Sequence, residues 1–214
     1  MQSKPPHSVV RWWQRISLPS NGFLLVNGLV PFVSLIYLNP MGYIVAETPV
    51  GPLTIVSGGK GLKGLYFGKK ISPDMPLDAA GNATVMDQLK EYFAGSRRDF
   101  DLGLDLEGTP FQQSVWQALL DIPYGETRSY GEIARAIGKP RASRAVGMAN
   151  HNNPVSIVVP CHRVIGHDGR LVGYGGGLDI KTALLKLEGT STSKEPKVTH
   201  TRGRLTGSQS ILFS

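Results

Sequence analysis

Cys161 is the only cysteine of the chain, and it stands directly before a histidine in Val158-Val159-Pro160-Cys161-His162-Arg163-Val164. A lone thiol forms no internal disulfide and builds no multi-cysteine zinc cage, so it is either an inert core hydrophobe or a nucleophile. An isolated cysteine more often takes the first role. The adjacent imidazole favours the second, because histidine can take the thiol proton, directly or through water, and the thiolate is the reactive form. Consecutive side chains of a strand point apart, so the pair cooperates only across a turn or a bridging water. A carboxylate is then needed to orient the imidazole. Glu188, at a helix end in Leu184-Leu185-Lys186-Leu187-Glu188-Gly189, is the candidate, with a solvated surface acid as its other reading.

The elements that must position these groups lie on both sides of them. Thr109, Pro110 and Gln112 make a capping box with proline at the first helical position, ahead of Val115, Trp116, Leu119 and Leu120; this helix ends before Pro123. Ser129 and Glu132 open a second helix, with Ile133, Ala134 and Ile137 inward, and Gly138-Lys139-Pro140 closes it. A third helix is expected from about Arg141 to about His151, ending at Asn153-Pro154, and Ser156 to Val159 then reads as a short apolar strand leading into Cys161. The second and third helices have the spacing of a helix-turn-helix, although an ordinary helical hairpin is the commoner reading of that pattern alone. Small residues along the third helix (Ala142, Ser143, Ala145, Gly147, Ala149) allow close approach to another surface. Arg141 and Arg144, three apart, offer phosphate or base contacts.

Upstream, Tyr43 to Glu47, Leu53 to Ser57 and Leu62 to Phe67 read as a three-stranded antiparallel meander, followed by a helix carrying Val85, Leu89, Tyr92 and Phe93 and stopped by Gly95. This is a small α+β unit with no evident chemistry of its own. The 214 residues, 41% hydrophobic and 18% charged, suffice for one well-cored domain or two small ones and exclude global disorder. Charge is uneven: residues 41 to 108 hold seven Lys/Arg against nine Asp/Glu, whereas residues 128 to 170 hold seven against two. The basic face, and with it an acidic partner, belongs to the half that carries Cys161. Phe23 to Leu38 is apolar, but its 16 residues fall short of the roughly 20 that span a bilayer, and Asn27, Gly28, Pro31 and Ser34 interrupt it. No membrane association is expected, and one free thiol suits a reducing cytoplasm. Residues 1–40 are expected to be a disordered or loosely packed extension, or a start-site artefact ahead of Met41. Residues 191–214 are expected to be a disordered tail.

One family has these motifs in this order. Phe111-Gln112 to Val115-Trp116, Ile122-Pro123-Tyr124-Gly125-Glu126-Thr127-Arg128-Ser129-Tyr130-Gly131-Glu132-Ile133-Ala134, Arg144-Ala145-Val146-Gly147, Asn153-Pro154, Pro160-Cys161-His162-Arg163-Val164 and Gly173-Tyr174-Gly175-Gly176-Gly177-Leu178 through Glu188-Gly189 closely resemble the O6-alkylguanine-DNA alkyltransferases. The resemblance spans about residues 41 to 189. It implies an α+β protein: a ribonuclease-H-like N-terminal domain at 41–108, then a winged-helix-like catalytic and DNA-binding domain at 109–190. Cys161 would be the nucleophile, His162 its water-mediated base, and Glu188 the residue that orients and charges His162. Asn153 would hold the turn between the recognition helix and the active-site segment. Tyr130 would contact the guanine ring and crowd a phosphate, while Arg144 would fill the vacated stack from the minor groove. Val164, Tyr174 and Gly175 would complete the substrate site. Gly175 stands where some relatives have serine, and Asn150 where some have methionine, which implies a bacterial-type pocket.

The implied partner is double-stranded DNA containing O6-alkylguanine, with O4-alkylthymine as a further lesion, repaired by a monomer that acts once. Alkyl transfer from oxygen to sulfur needs a soft thiolate and a proton for the departing guanine, but no metal and no cofactor. The target base must leave the stack, at a cost of a few kcal/mol. Other chemistries fit less well. A zinc nucleobase deaminase requires a second cysteine, and a cysteine hydrolase has no use for an arginine-bearing helix. A non-catalytic damage sensor needs none of Cys161, His162 and Glu188.

Overall fold

The computed structural model describes residues 41–70 and 73–190; the expectations for residues 1–40 and 191–214 lie outside them. Three strands, β1 (Gly42–Thr48), β2 (Gly51–Gly58) and β3 (Gly61–Phe67), form the antiparallel meander in the order β1-β2-β3, with Ile44 opposite Ile55 and Ile55 opposite Leu65. Helix α1 (Ala83–Phe93) shares their core: Leu53, Ile55 and Leu65 are buried together with Val85, Leu89 and Tyr92. Alternation along the strands and the 3–4 spacing along the helix aim these side chains at one another.

The second half is helical. α2 (Pro110–Leu120) begins with the expected capping box, Thr109 accepting from the Gln112 amide and Gln112 reaching back to Thr109, and α3 (Tyr130–Ala136) begins with the same device built from Ser129 and Glu132. Gly138, at φ +70°, ends α3 in a Schellman turn: its amide bonds the Arg135 carbonyl, and the Lys139 amide bonds that of Ala134. α4 is Ser143–His151, two residues shorter at its start than expected. The Ala142 amide bonds back to the Lys139 carbonyl, so Lys139 to Ala142 is a turn and Arg141 stands before the helix rather than on its face. Trp116, 1% exposed, donates its indole N–H to the Ala149 carbonyl at 2.9 Å and ties α2 to α4. Arg128–Ser129 (β4) and Val164–Ile165 (β5) pair in parallel, and α5 (Leu178–Leu187) closes the described chain.

The free edge of β3 bonds first to the end of its own unit and then to the second half. At its start the Leu62 amide donates to Gly103 and the Leu62 carbonyl accepts from Asp105, while further on the Leu65 amide donates to Pro154 and its carbonyl accepts from Ser156. A side chain at Gly61 would collide with the Gly103 carbonyl, so glycine is required for the first of these contacts. The second explains a correction to the sequence reading. Ser156 to Val159 is not a strand: only Val155 and Ser156 meet β3, and the chain then turns sharply at Ile157, which has φ +73°.

Each helix cap is a local device that can be removed without touching the core. Thr109→Ala should cost about 1 kcal/mol, measured as a lower urea midpoint at unchanged slope.

Candidate active site

Cys161 lies at the end of two consecutive tight turns. The Val158 amide bonds the Ser156 carbonyl at 2.9 Å around Ile157, and the Cys161 amide bonds the Val159 carbonyl at 2.8 Å around Pro160. These are γ-turns, the first with a positive central φ. For a β-branched residue that conformation is costly; it is held by the burial of Ile157, which is 1% exposed, and by Asn153. The Asn153 carbonyl oxygen accepts from the Val155 amide at 3.0 Å, while its Nδ2 donates both to the Val159 carbonyl at 2.8 Å and to Cys161 Sγ at 3.1 Å. One buried amide therefore fixes both the turn and the sulfur. Cys161 to Arg163 then form a single 3₁₀ turn, so His162 follows Cys161 across a turn, as cooperation of the pair requires.

Behind this turn, His162 Nε2 is 2.9 Å from Glu188 Oε1, with both side chains fully buried. A carboxylate only accepts, so Nε2 carries the proton and Nδ1 holds the lone pair. Nδ1 has no hydrogen-bond partner among the described residues. Burial keeps His162 below its usual value, against the pull of Glu188, so the ring is neutral at pH 7 and can accept a proton at Nδ1. Burial likewise pushes the Cys161 thiol up, opposed by the Asn153 hydrogen bond and the charge of Lys181. The resting pair is thiol and neutral imidazole, and a proton must move before sulfur attacks.

Glu188, at the C-terminal end of α5, binds more than His162. Arg163 grips it with two bonds, Nε to Oε2 at 2.8 Å and Nη2 to Oε1 at 3.0 Å; the Gly125 amide donates to Oε2 at 3.3 Å and the Tyr92 hydroxyl to Oε1 at 2.7 Å. Burial alone would raise its pKa, but the hydrogen bonds and charges of His162 and Arg163 outweigh burial and hold it at about 2. Lys181 is buried on the same helix with its Nζ on the carbonyls of Val164 at 2.6 Å and Val172 at 3.0 Å, and burial lowers it to about 8.

In front of Cys161 opens a cavity of about 590 Å³. Of the residues singled out in the sequence, Tyr130, Arg144, Tyr174 and Gly175 line it together with Cys161. Arg144 is exposed at its rim, and the Tyr130 hydroxyl donates to the Val172 carbonyl at 3.3 Å. Asn153, His162 and Glu188 stand behind the sulfur rather than on the wall. Val164 does not reach the cavity with its side chain, which is buried in the core, and its carbonyl is taken by Lys181. Asn150 and Tyr174 also line the cavity, and both amide atoms of Asn150 and the Tyr174 hydroxyl are buried without a hydrogen bond among the described residues. A Cβ at Gly175 would meet nothing within 4 Å, so serine fits there equally well.

Sequence reasoning missed Tyr92, Arg163 and Lys181. Arg163 had a signal, adjacency to the Cys-His pair, and Lys181 lies seven residues before Glu188, two helical turns along one face. Tyr92 had none, and its contact corrects the reading of the N-terminal unit as free of chemistry. Among the described residues no group of three or more His, Cys, Asp or Glu side chains is arranged to hold a metal ion, and no helix is long and apolar enough to cross a membrane.

Comparison with known proteins matches residues 110–190 to the DNA-binding domain and residues 41–106 to the ribonuclease-like domain of 6-O-methylguanine DNA methyltransferase. A methylated-DNA–protein-cysteine methyltransferase of Methanosarcina barkeri is 55% identical over 154 residues, covering 69% of this chain and 97% of the relative; one from Mycobacterium tuberculosis is 53% identical over 150 residues, covering 68% and 91%. The crystal structure of Mycobacterium tuberculosis OGT in complex with DNA superposes with a TM-score of 0.66 at 52% identity, over 73% of this chain and 96% of that one.

The electrostatics of Glu188 can be read from acid stability. Its folded value of about 2 lies below the ordinary 4.5, so ionised Glu188 stabilises the fold above pH 4.5 and loses that contribution as pH falls through 2. The contribution is about 3 kcal/mol. Urea unfolding at several pH values should show this component in the wild type and lack it in Glu188→Gln, which at neutral pH should be about 3–5 kcal/mol less stable because Arg163 is left buried and unpaired.

Proposed function

We infer the function from the family to which this chain belongs, the 6-O-methylguanine DNA methyltransferases: it repairs DNA by transferring the alkyl group of O6-alkylguanine to its own cysteine, Cys161. The observation that carries the site assignment is the cavity, which Cys161 lines with its sulfur held by the buried Asn153 amide.

His162 takes the thiol proton at Nδ1, directly or through water, while Glu188 stabilises the imidazolium through Nε2. The thiolate attacks the alkyl carbon, a C–S bond forms as the C–O6 bond breaks, and the electron pair of the broken bond passes to the guanine. One proton from solvent completes the restored base as His162 releases the proton it took, so the thiol proton balances the one the guanine gains. The thioether has no easy leaving group, so each molecule acts once and needs neither metal nor cofactor.

The base can reach the sulfur only when rotated out of the duplex. Arg144, exposed at the rim of the cavity on α4, is the residue to occupy the vacated stack, and Tyr130, at the start of α3, the one to press on the backbone and contact the ring. The small residues around Arg144 let this helix approach the minor groove. O4-alkylthymine fits the same chemistry. The site is complete within one chain, in keeping with a monomer, and an unpaired functional thiol is suited to the reducing cytoplasm.

Duplex DNA carrying labelled O6-methylguanine should transfer at most one equivalent of label, to the peptide containing Cys161; turnover, or transfer by Cys161→Ala, would overturn the reading. Arg144→Ala should slow repair of duplex roughly tenfold or more, a loss of at least about 1.4 kcal/mol, while reaction with a free alkylguanine changes little. Equal losses would remove Arg144 from the flipping step.

A further inference from the structure

We propose that Tyr92, from the N-terminal unit, is a positioning residue for the transfer: through Glu188 its hydroxyl sets how firmly His162 holds the proton taken from Cys161. The proposal rests on the assignment of Cys161 and His162 as nucleophile and base, and on contacts that no local motif announces. Glu188 Oε1 receives three donors, the Tyr92 hydroxyl at 2.7 Å, His162 Nε2 at 2.9 Å and Arg163 Nη2 at 3.0 Å. One oxygen divides its electron density among them, and the hydroxyl is the closest. Each donor weakens the hold of the carboxylate on the others.

Packing alone does not call for a hydroxyl here. Tyr92 is fully buried, with edge contacts to Phe93 at 5.4 Å and Tyr124 at 6.3 Å and a tilted contact to Phe100 at 5.4 Å, all of which phenylalanine would preserve. A buried hydroxyl costs stability unless bonded, and this one has the carboxylate as its partner. Burial and the carboxylate push its own ionisation well above the ordinary value of 10, so it stays a donor. The other groups facing the relay are Arg163 and Cys161 on the 3₁₀ turn, Lys181 on α5, and Tyr124 with the Gly125 amide before α3; Arg98 lies over the Tyr124 ring at 5.6 Å. Arg163 neutralises the carboxylate as a permanent charge. Tyr92 adds a neutral donor to the oxygen that serves the imidazole.

Removing the hydroxyl therefore frees Oε1 for His162, stabilises the imidazolium and lets the thiolate form at lower pH. The test is the pH dependence of Cys161 alkylation by iodoacetamide, which needs no DNA and so separates failure of this proposal from failure of the DNA-repair reading. In Tyr92→Phe the midpoint should move down by roughly half to one unit, the equivalent of one hydrogen bond, and the rate below the midpoint should rise about three- to tenfold. Site-specific 3,5-difluorotyrosine at position 92, a stronger donor of nearly the same shape, should move the midpoint up and covers the case in which Tyr92→Phe folds poorly. Val85→Ala loosens the same helix without touching the carboxylate and should leave the midpoint in place. A midpoint unmoved by Tyr92→Phe and by the difluorotyrosine, or moved by Val85→Ala as much as by Tyr92→Phe, would overturn the proposal.

Discussion

Taking the Glu188 carboxylate out of water would be prohibitive without compensation, since an isolated buried charge costs several kcal/mol even after relaxation. The compensation comes from five hydrogen bonds drawn from separate parts of the chain: α1 through Tyr92, the turn before α3 through Gly125, and the 3₁₀ turn through His162 and twice through Arg163. Glu188 itself ends α5. No one of these segments can move far without leaving a buried charge or donor unpaired, so the same contacts that orient the imidazole also fix how the segments pack. On the proposed reading, stability and chemistry share one carboxylate.

In front of this hub the chain accepts local strain to present the sulfur. Two successive γ-turns, one with a β-branched residue at positive φ, bring Cys161, itself still part of the core with Val158 and Val159, to the wall of the cavity. The Asn153 amide and the pairing of Leu65 with Val155 hold that geometry from two sides. The second hold comes from β3, so the N-terminal unit supports the site twice, at the turn and at the carboxylate. Phe67, at the end of the same strand, meets the Tyr174 ring edge-on at 5.5 Å and packs against Gly176, where any side chain would collide with it. A unit without chemical motifs thus contributes to the floor, the back and one wall of the site.

Features written in short stretches were legible without coordinates. The capping boxes of α2 and α3, the Schellman turn at Gly138 and the three alternating strands each depend on residues within a few positions of one another, and each formed as expected. The segment from Ser156 to Val159 has the composition of a strand and is not one. Its conformation is dictated by a side chain outside it, Asn153, and by an edge of β3 about ninety residues upstream. The expected start of α4 at Arg141 is two residues early for a related reason: nothing in the residue types distinguishes a helix start without a side-chain cap from the turn that precedes it.

The sequence by itself determined which groups could react. One thiol, an adjacent imidazole and a carboxylate at a helix end, set within motifs of fixed order, are covalent facts that folding does not alter. Only the tertiary structure decided their state and their company. It left the thiol and imidazole uncharged by burying them, ionised the carboxylate by surrounding it with donors, and brought Tyr92 from 96 residues away to its oxygen. Protonation and long-range pairing depend on burial and distance, and a linear chain specifies neither until it has packed.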